Sequence, residues 1–480
     1  MPLHASNHTP RRTSHPIGRL VTPTSILALV GLTLCTATPT HAAYGSREPA
    51  ALPPPTESTT SPDGAGYNAA GDAYPYYGGV ADELIPFRNV EPYNRYWTKR
   101  LPFRGPGAEY PDPENLTTLK VGLLSPNRRG PEGARGQRTR QGVELAFEEA
   151  NQNRPANALP FQLVHREDSP QWGSAANIAV EFKDEEVLGF LGTIDGDATH
   201  VALRVALKIE TYIINTSDPD PTLTETQIPW LTRVLPDERQ QCAILADLAV
   251  KKYGCQRIAV FRESSRPGRV GVMHFVNFIR RLGFPPVQHL FFLPGQEDIS
   301  TQLTAIQASN PDAVLFYGQP ADIGRFARIF REAGITARFF GFDRLYEPAF
   351  QQAAGTAADG FTIPYYFNPN RNDTTWTEFA TRYEKRWNEP PDIYAAYGYD
   401  GARLMMEAID KAGPNRFRVR DYLANLDSWQ GVTGPMTFDG RWDNTAPMWT
   451  ARFEEGKWHF MPPANPEEVL SQNQPNPAGP

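Results

Sequence analysis

From residue 119 onward, apolar residues form short runs that alternate with segments of helical periodicity. Leu119–Leu124 is an apolar run of the length expected of a buried strand. In 137–152, which follows, Val143, Phe147 and Ala150 recur at helical spacing and predict a helix. The alternation continues with predicted strands at 162–165, 187–191 and 211–214 and predicted helices at 174–184 and 198–209.

A second series of alternating elements begins near residue 237. Its predicted strands are 257–261, 287–293, 313–316 and 338–341, and its predicted helices are 237–252, 269–282, 299–309 and 320–333. Helices at 374–387 and 393–412 follow, and then short strands at 435–438, 447–453 and 457–460. Strands that alternate with helices are typical of parallel sheets covered on both faces. The two series therefore predict an α/β protein with two doubly wound parallel-sheet lobes.

The two ends of the chain lack this periodicity and are rich in proline. Of the 46 prolines among 480 residues, half lie in 1–118 and 461–480. Such a composition is typical of segments that do not build a packed core. We expect one folded unit of about 340 residues, followed by a disordered tail at 461–480.

Residues 1–42 have the order of a secretory signal peptide. Three arginines lie among the first 19 residues, an apolar run spans Ile26–Cys35, and small residues suited to cleavage follow at Thr40–Ala43. The apolar run is about half of the ~20 residues that a membrane-spanning helix needs. The mature chain is therefore expected in the periplasm. The alternatives are a buried core helix and a lipoprotein site at Cys35.

The segment 43–118 is rich in Pro, Gly and Tyr and predicts a linker or a wrapping segment. Its second half, 81–118, carries large aromatic residues that include Phe87, Trp97 and Phe103. These side chains either wrap against the folded unit or form a docking strip for a partner. The sequence leaves both possibilities open.

Cys242 and Cys255 are the two cysteines of the expected folded unit. The predicted helix 237–252 holds them roughly 10 helical residues apart, which at ~1.5 Å per residue is ~15 Å. A disulfide needs Cα atoms within ~7 Å of each other. We therefore expect two buried thiols.

Charge and motifs exclude several functional classes. The 47 basic and 54 acidic residues give a net charge of −7, which provides no global basic excess for nucleic acid. The sequence contains no G-x-S-x-G, H-E-x-x-H or G-x-x-x-x-G-K-[ST] motif, and its histidines lack the spacing of metal ligands. We expect a protein that is not an enzyme and that uses no cofactor or metal.

Ligands of open parallel sheets bind at the carboxyl ends of the strands, so the loops that leave the predicted strands mark the candidate site. These loops are rich in Asp, Arg, Ser, Thr and Gly, and the helices that follow them present free N–H groups. They are Ser125–Gly136, Gly192–Thr199, Asn215–Thr224, Arg262–Gly268, Tyr317–Asp322 and Phe342–Tyr346.

Four motifs, together with the export signal and the two α/β series, resemble one family. They are Asp218–Glu225, Asp312–Gly318, Phe339–Gly341 and Ala395–Asp400. The chain from 119 to 460 resembles the type I periplasmic binding proteins, in particular the leucine/isoleucine/valine-binding branch. The resemblance implies a solute receptor of an ABC importer with a three-stranded hinge. It also implies a first lobe at 119–235 plus 361–434 and a second lobe at 236–360 plus 435–460.

The resemblance also implies a set of ligand-binding residues. Asp343 aligns with the acidic residue that holds the ligand ammonium, and Arg135 occupies the first loop that approaches the ligand. The family's serine-rich loop carries aspartates here, and Pro267 replaces a tyrosine, so the pocket departs from a leucine-type site. The complete expected set is Arg135, Asp195, Asp197, Thr199, Ser217, Asp218, Tyr317, Gln319, Asp343 and Tyr346. Alternatively, these charges pair with one another across the cleft.

The sequence thus predicts a monomeric periplasmic receptor that closes two lobes around a small polar or amino-acid-like solute and delivers it to a membrane permease. The alternative is a sensor or accessory protein on the same scaffold, which the long N-terminal segment motivates. An exported enzyme of unrecognised type is a third hypothesis.

Overall fold

The computed structural model of the protein describes residues 103, 105–126, 130–171 and 173–463. The expected signal peptide, Cys35, most of 43–118 and the tail beyond 463 lie outside these residues. Within the described ranges, the structure contains no helix with both the length and the apolar character needed to cross a bilayer.

The first half of the folded unit builds a five-stranded parallel sheet. Its strands are β1 (Leu119–Pro126), β2 (Phe161–Asp168), β3 (Gly189–Leu191), β4 (Tyr212–Asn215) and β5 (Leu231–Arg233). They lie in the order β2-β1-β3-β4-β5. The helices between them are α1 (Pro131–Gln152), α2 (Ser174–Asp184), α3 (Gly196–Ile209) and the short α4 (Thr222–Glu225). The switch point of this strand order lies between β1 and β3, where a doubly wound sheet forms its ligand crevice.

The second half builds a seven-stranded mixed sheet. Its first helices are α5 (Glu238–Ala246), which continues as a π-helical turn over Asp247–Lys252, α6 (Arg266–Gly271), α7 (Met273–Arg281), α8 (Ser300–Ser309), α9 (Pro320–Glu332) and α10 (Pro348–Ala354). Its parallel strands are β6 (Ile258–Glu263), β7 (Gln288–Phe292), β8 (Ala313–Tyr317), β9 (Arg338–Phe340) and β10 (Thr362–Tyr365). The helices α11 (Thr374–Trp387), α12 (Ile393–Ala412) and α13 (Arg416–Ala424) follow β10.

Four further strands complete the fold. They are β11 (Ser428–Gln430), β12 (Pro435–Thr437), β13 (Trp449–Glu454) and β14 (Lys457–Met461). The pair β11–β12 forms a separate antiparallel hairpin, whereas β13 and β14 add antiparallel strands to the second sheet in the order β14-β13-β10-β9-β8-β6-β7. The second switch point therefore lies between β6 and β8. The observed order confirms the predicted α/β architecture with two parallel-sheet lobes.

Central strands of both sheets are buried on both faces, which accounts for their continuous apolar runs. Leu123, Ile213 and Val314 are completely buried examples. Several helices begin at an aspartate whose side chain accepts a backbone N–H of the first turn, as at Asp237 and Asp392. These caps satisfy backbone N–H groups at the starts of the two helices.

The helices α1 and α12 pack closely because two glycines remove side chains from their contact. A Cβ on Gly142 would lie 1.9 Å from the carbonyl oxygen of Ala395, and one on Gly398 would lie 2.6 Å from that of Thr139. This contact packs α12, which follows β10 of the second sheet in sequence, against α1 of the first lobe.

Within 173–463 the chain crosses between the two sheets three times, after β5, after β10 and after β12. The second crossing follows Tyr365, because Thr362–Tyr365 pairs with β9 and β13 in the second sheet. The boundary expected at 360/361 is therefore a few residues too early. The sequence gives little sign of this strand, since Pro364 lies inside it and proline is uncommon in strand interiors.

The described part of the N-terminal segment packs against α13. The amide of Asn425 donates to the carbonyl of Phe103 at 2.8 Å, and that of Asn415 donates to the carbonyl of Tyr110 at 2.9 Å. The ring of Tyr110 lies edge-on to Phe417 at 5.4 Å. Of the two possibilities for these aromatics, the described residues therefore adopt the wrapping one.

Cys242 and Cys255 are both buried and free, as the helical spacing predicts. Burial raises the pKa of both thiols, to about 11 for Cys255. The two groups therefore stay protonated and unreactive at neutral pH.

A buried ion pair joins the first crossing to the third. The Arg233 guanidinium is fully buried, and its Nε donates to Asp443 Oδ1 at 2.8 Å. The Thr224 hydroxyl donates to the other oxygen of Asp443 at 2.6 Å. Asp237 lies 3.6 Å from the same guanidinium. These contacts fix the chain where it passes from one lobe to the other.

Replacing Asp443 with alanine should destabilise the fold by about 3–5 kcal/mol, because Arg233 would remain buried without its main partner. Urea unfolding monitored by circular dichroism measures this change. The control is Asp410→Ala, which removes a pair between Arg154 and an aspartate that is 48% exposed and should cost at most ~1 kcal/mol. Equal losses in the two variants would show that the Arg233 pair has no special role.

Candidate functional site

A cavity of about 1030 Å³ lies between the two lobes. The first lobe contributes residues that follow β1, β2, β3 and β4, and the second contributes residues that follow β6, β8 and β9. The switch points of both sheets therefore border the same cavity. The sequence-based expectation that loops at strand carboxyl ends form the site agrees with this geometry.

The structure brings several of the expected residues together on the cavity wall. They are Arg135, Asp195, Asp197, Asp218, Tyr317 and Gln319.

The other expected residues lie beneath or away from the wall. Thr199 is fully buried and donates its hydroxyl to Asp218 at 3.0 Å. The hydroxyl of Ser217 hydrogen-bonds that of Thr139 at 3.1 Å. Tyr346 packs in an aromatic cluster of the second lobe, with ring centroids 4.6 Å from Tyr365 and 5.5 Å from Phe460.

Asp343 is 3% exposed and does not line the cavity. Its backbone N–H donates to the Gln241 side chain at 3.3 Å. Burial raises the pKa of Asp343, although the neighbouring Arg344 opposes this. Its neighbour Arg344, in the same 3₁₀ turn Asp343–Tyr346, lines the cavity instead.

Ion pairs connect the two lobes across the cleft. Arg266, in the first turn of α6, contacts Asp220 of the first lobe and lies 3.3 Å from Asp197. Arg135, in α1, lies 2.7 Å from Glu347 of the second lobe. Pairing across the cleft, the alternative left open by the sequence, therefore applies to Arg135 and Asp197.

Protein carboxylates occupy the polar positions on the first-lobe side of the cavity. Asp195 caps α3 and accepts the Ala198 N–H at 2.8 Å. Asp218 accepts the Asp220 N–H at 3.0 Å. Burial raises the pKa of Asp218 to about 7, with a contribution from the negative charge of Asp220. Burial also acts to raise the pKa of Asp220, but hydrogen bonds from Thr222 and the charge of Arg266 bring it below its ordinary value.

On the second-lobe side, Tyr317 donates its hydroxyl to Glu238. Burial raises the pKa of Glu238 to about 8, and the positive charge of Arg344 partly opposes this. The guanidinium of Arg344 makes no hydrogen bond or ion pair with other residues of the described ranges, and it faces Glu238 and Asp343 electrostatically.

Sequence reasoning missed several wall residues. Asp220, Arg266 and Arg344 lie inside loops that strand ends had already marked, but their side chains could not be ranked from spacing alone. Glu238 begins the helix that follows β5 (Leu231–Arg233), and because the sequence did not indicate this short strand, the loop after it was not marked. Glu263 ends β6 and lies inside the marked loop Arg262–Gly268.

No group of three or more His, Cys, Asp or Glu side chains in the described part of the chain has the geometry of a metal site.

Known proteins share this sequence pattern and this architecture. A family model described as periplasmic binding protein matches residues 118–457. The "Leu/Ile/Val-binding protein homolog 2" of Brucella abortus is 21% identical over 353 residues, which are 72% of this chain and 94% of the relative. The "Leu/Ile/Val-binding protein" of Escherichia coli K12 is 21% identical over 335 residues, covering 69% and 88% of the two chains.

Solved structures show the same fold. The leucine-binding protein LivK of Thermotoga maritima superposes with a TM-score of 0.66 at 22% identity, over 73% of this chain and all of that chain. A solute-binding protein of Rhodopseudomonas palustris in complex with benzoate superposes with a TM-score of 0.63 at 18% identity, over 72% and 96%. Because the family model covers well over half of the sequence, the chain belongs to the periplasmic binding protein family.

Proposed function

We propose that this chain is a periplasmic solute-binding receptor that closes its two lobes around a small polar ligand and delivers it to the permease of an ABC importer. The observation that carries the proposal is the cavity whose walls come from strand ends of both lobes. The named relatives are binding proteins for amino acids, and the solved neighbours include receptors with isoleucine or benzoate. These support the class of function and leave the ligand of this chain to be found.

We also propose that the protein acts as a monomer without converting its ligand. Charged wall residues such as Arg266, Asp220 and Glu238 have protein partners, which suits holding two lobes together better than proton transfer to a substrate. The ligand-contact set proposed on structural grounds consists of the wall residues, so Arg135, Asp195, Asp197, Asp218, Tyr317 and Gln319 are retained from the sequence-based set.

The three arginines among the first 19 residues and the apolar run Ile26–Cys35 that follows them support export by a signal peptide. A periplasmic location agrees with the family to which the chain belongs. Export therefore forms part of the proposed function.

Filling the cavity should abolish ligand binding without unfolding the protein. Val201 lines the cavity, so Val201→Trp places an indole in the ligand space. Ligands are found by a thermal-shift screen of amino acids, polyamines, organic acids and alcohols, since a bound ligand raises the melting temperature. Isothermal titration then measures affinity.

The matched control is Val180→Trp, which adds the same side chain to an exposed position of α2, 43% accessible, away from the cavity. We expect one ligand per chain for the wild type and for Val180→Trp, and no binding for Val201→Trp. Binding that persists in Val201→Trp would place the ligand elsewhere and contradict the proposal.

Breaking the Arg135–Glu347 pair should open the ligand-free lobes. Glu347→Ala leaves the buried Arg135 guanidinium unpaired in the closed form, which costs about 2 kcal/mol or more and corresponds to ~30-fold in the closing equilibrium. Small-angle scattering should show a larger radius of gyration, and the ligand should lower it again. Asp410→Ala, which removes an ion pair within one lobe, should leave the radius unchanged. No difference between these variants would exclude the pair as a closing contact.

A further inference from the structure

Acidic side chains outnumber basic ones on the described cavity wall. Among the described residues, nine acidic side chains line the cavity, against four arginines and one histidine. Two of those arginines are paired across the lobes, Arg266 with Asp220 and Arg135 with Glu347. A third, Arg344, faces Glu238 and Asp343, and the fourth, Arg204, is exposed on α3. The described part of the wall therefore carries more acidic than basic side chains.

The first lobe has little capacity to hold an anion. A helix N-terminus is normally an anion site because its first N–H groups lack partners. Here the Asp195 carboxylate caps α3, and Asp197 adds a second negative charge in the first turn. In the neighbouring loop, the Asp218 carboxylate accepts the backbone N–H of Asp220. A ligand carboxylate brought to the N-terminus of α3 would therefore meet the carboxylates of Asp195 and Asp197.

The second lobe supplies a buried acceptor without a partner. Glu263 ends β6 at the second switch point, lines the cavity and is 8% exposed. Its carboxylate makes no hydrogen bond or ion pair with any residue in the described ranges. A carboxylate that lines the cavity and has no protein partner can accept N–H donors from a bound cation.

A second acceptor lies on the same wall. The side-chain oxygen of Gln319, which immediately precedes α9, is buried and has no hydrogen-bond partner. A carboxylate and an amide oxygen together match a ligand that carries several N–H donors, such as an ammonium or guanidinium group.

The cavity is large enough for a ligand that carries more than one ammonium or guanidinium group. Its volume of about 1030 Å³ is at the upper end of the ~300–1,000 Å³ range typical of small-molecule pockets. The carboxylates are spread over both lobes, so an elongated molecule with separated positive charges can contact both walls at once.

On this basis we propose that the cleft binds an organic cation, an aliphatic polyamine or guanidinium compound without a carboxylate, with Glu263 and Gln319 as acceptors for its N–H groups. The proposal rests on the solute-binding function proposed above and specifies the chemical class of the solute. It differs from a site for a zwitterionic or anionic ligand in that the ligand carries no carboxylate.

Isothermal titration at 150 mM NaCl tests the proposal with three cations that carry N–H donors (putrescine, spermidine and agmatine), one cation without them (choline), one zwitterion (leucine) and one anion (benzoate). We expect at least one of the three N–H-bearing cations to bind one to one, and choline, leucine and benzoate not to bind. Glu263→Gln keeps the shape of the side chain and removes its charge, so it should weaken cation binding by about tenfold or more. Glu332→Gln, the same change at an exposed position of α9, should leave the affinity unchanged.

The outcomes separate this inference from the broader function. Leucine or benzoate binding one to one, with no binding of any cation, would overturn the inference and leave the receptor function standing. Cation binding that Glu263→Gln and Glu332→Gln weaken equally, or that Val201→Trp does not affect, would show general surface attraction and also overturn it. Failure of all six compounds would overturn the cation inference, and failure of the whole thermal-shift screen would in addition count against the receptor function.

Discussion

The structure depends on one geometric constraint: the central strands of two parallel sheets end at the same cleft. Parallel strands point their carboxyl ends in one direction, so the residue that follows each strand reaches the cleft whatever its distance along the chain. Asp218 of the first lobe and Gln319 of the second, about 100 residues apart in the sequence, therefore line the same cavity. The buried pair between Arg233 and Asp443 holds the crossings from which this arrangement follows.

The charges at the cleft have two separate consequences. Pairs such as Arg266–Asp220 join the lobes and involve two of the four arginines on the described wall. Glu263 lines the same cavity without a partner in the described ranges, and the cation proposal rests on it. The scaffold is that of the periplasmic binding proteins, whereas the side chains of the cavity wall determine which ligand it can hold. The distinction follows the general rule that a fold places a site and side chains give it function.

Much of the fold could be predicted from the sequence because its signals are local. The helices Ser174–Asp184, Thr374–Trp387 and Ile393–Ala412 have the predicted bounds, since an apolar periodicity defines each of them. Short strands such as Leu231–Arg233 were missed, because three residues are too few to show a period. The strand Thr362–Tyr365 was missed because it contains a proline and gains its partners from distant parts of the chain.

The site could be predicted only to the level of its loops. Strand order determines which loops meet, but tertiary packing determines which side chain of a loop faces the cavity. The 3₁₀ turn Asp343–Tyr346 shows the limit: Arg344 lines the cavity, Asp343 is buried beneath it, and Tyr346 joins an aromatic cluster. Such directions depend on neighbours like Gln241 that are distant in sequence.

Hydrogen–deuterium exchange with and without a saturating ligand from the screen tests the shared two-lobe site most directly. If strand ends of both lobes form one site, the ligand should slow exchange together in the first turn of α3 and in the segment from Glu263 to Gly268. Slower exchange in only one of these two segments, or in neither, would contradict a ligand held between the lobes.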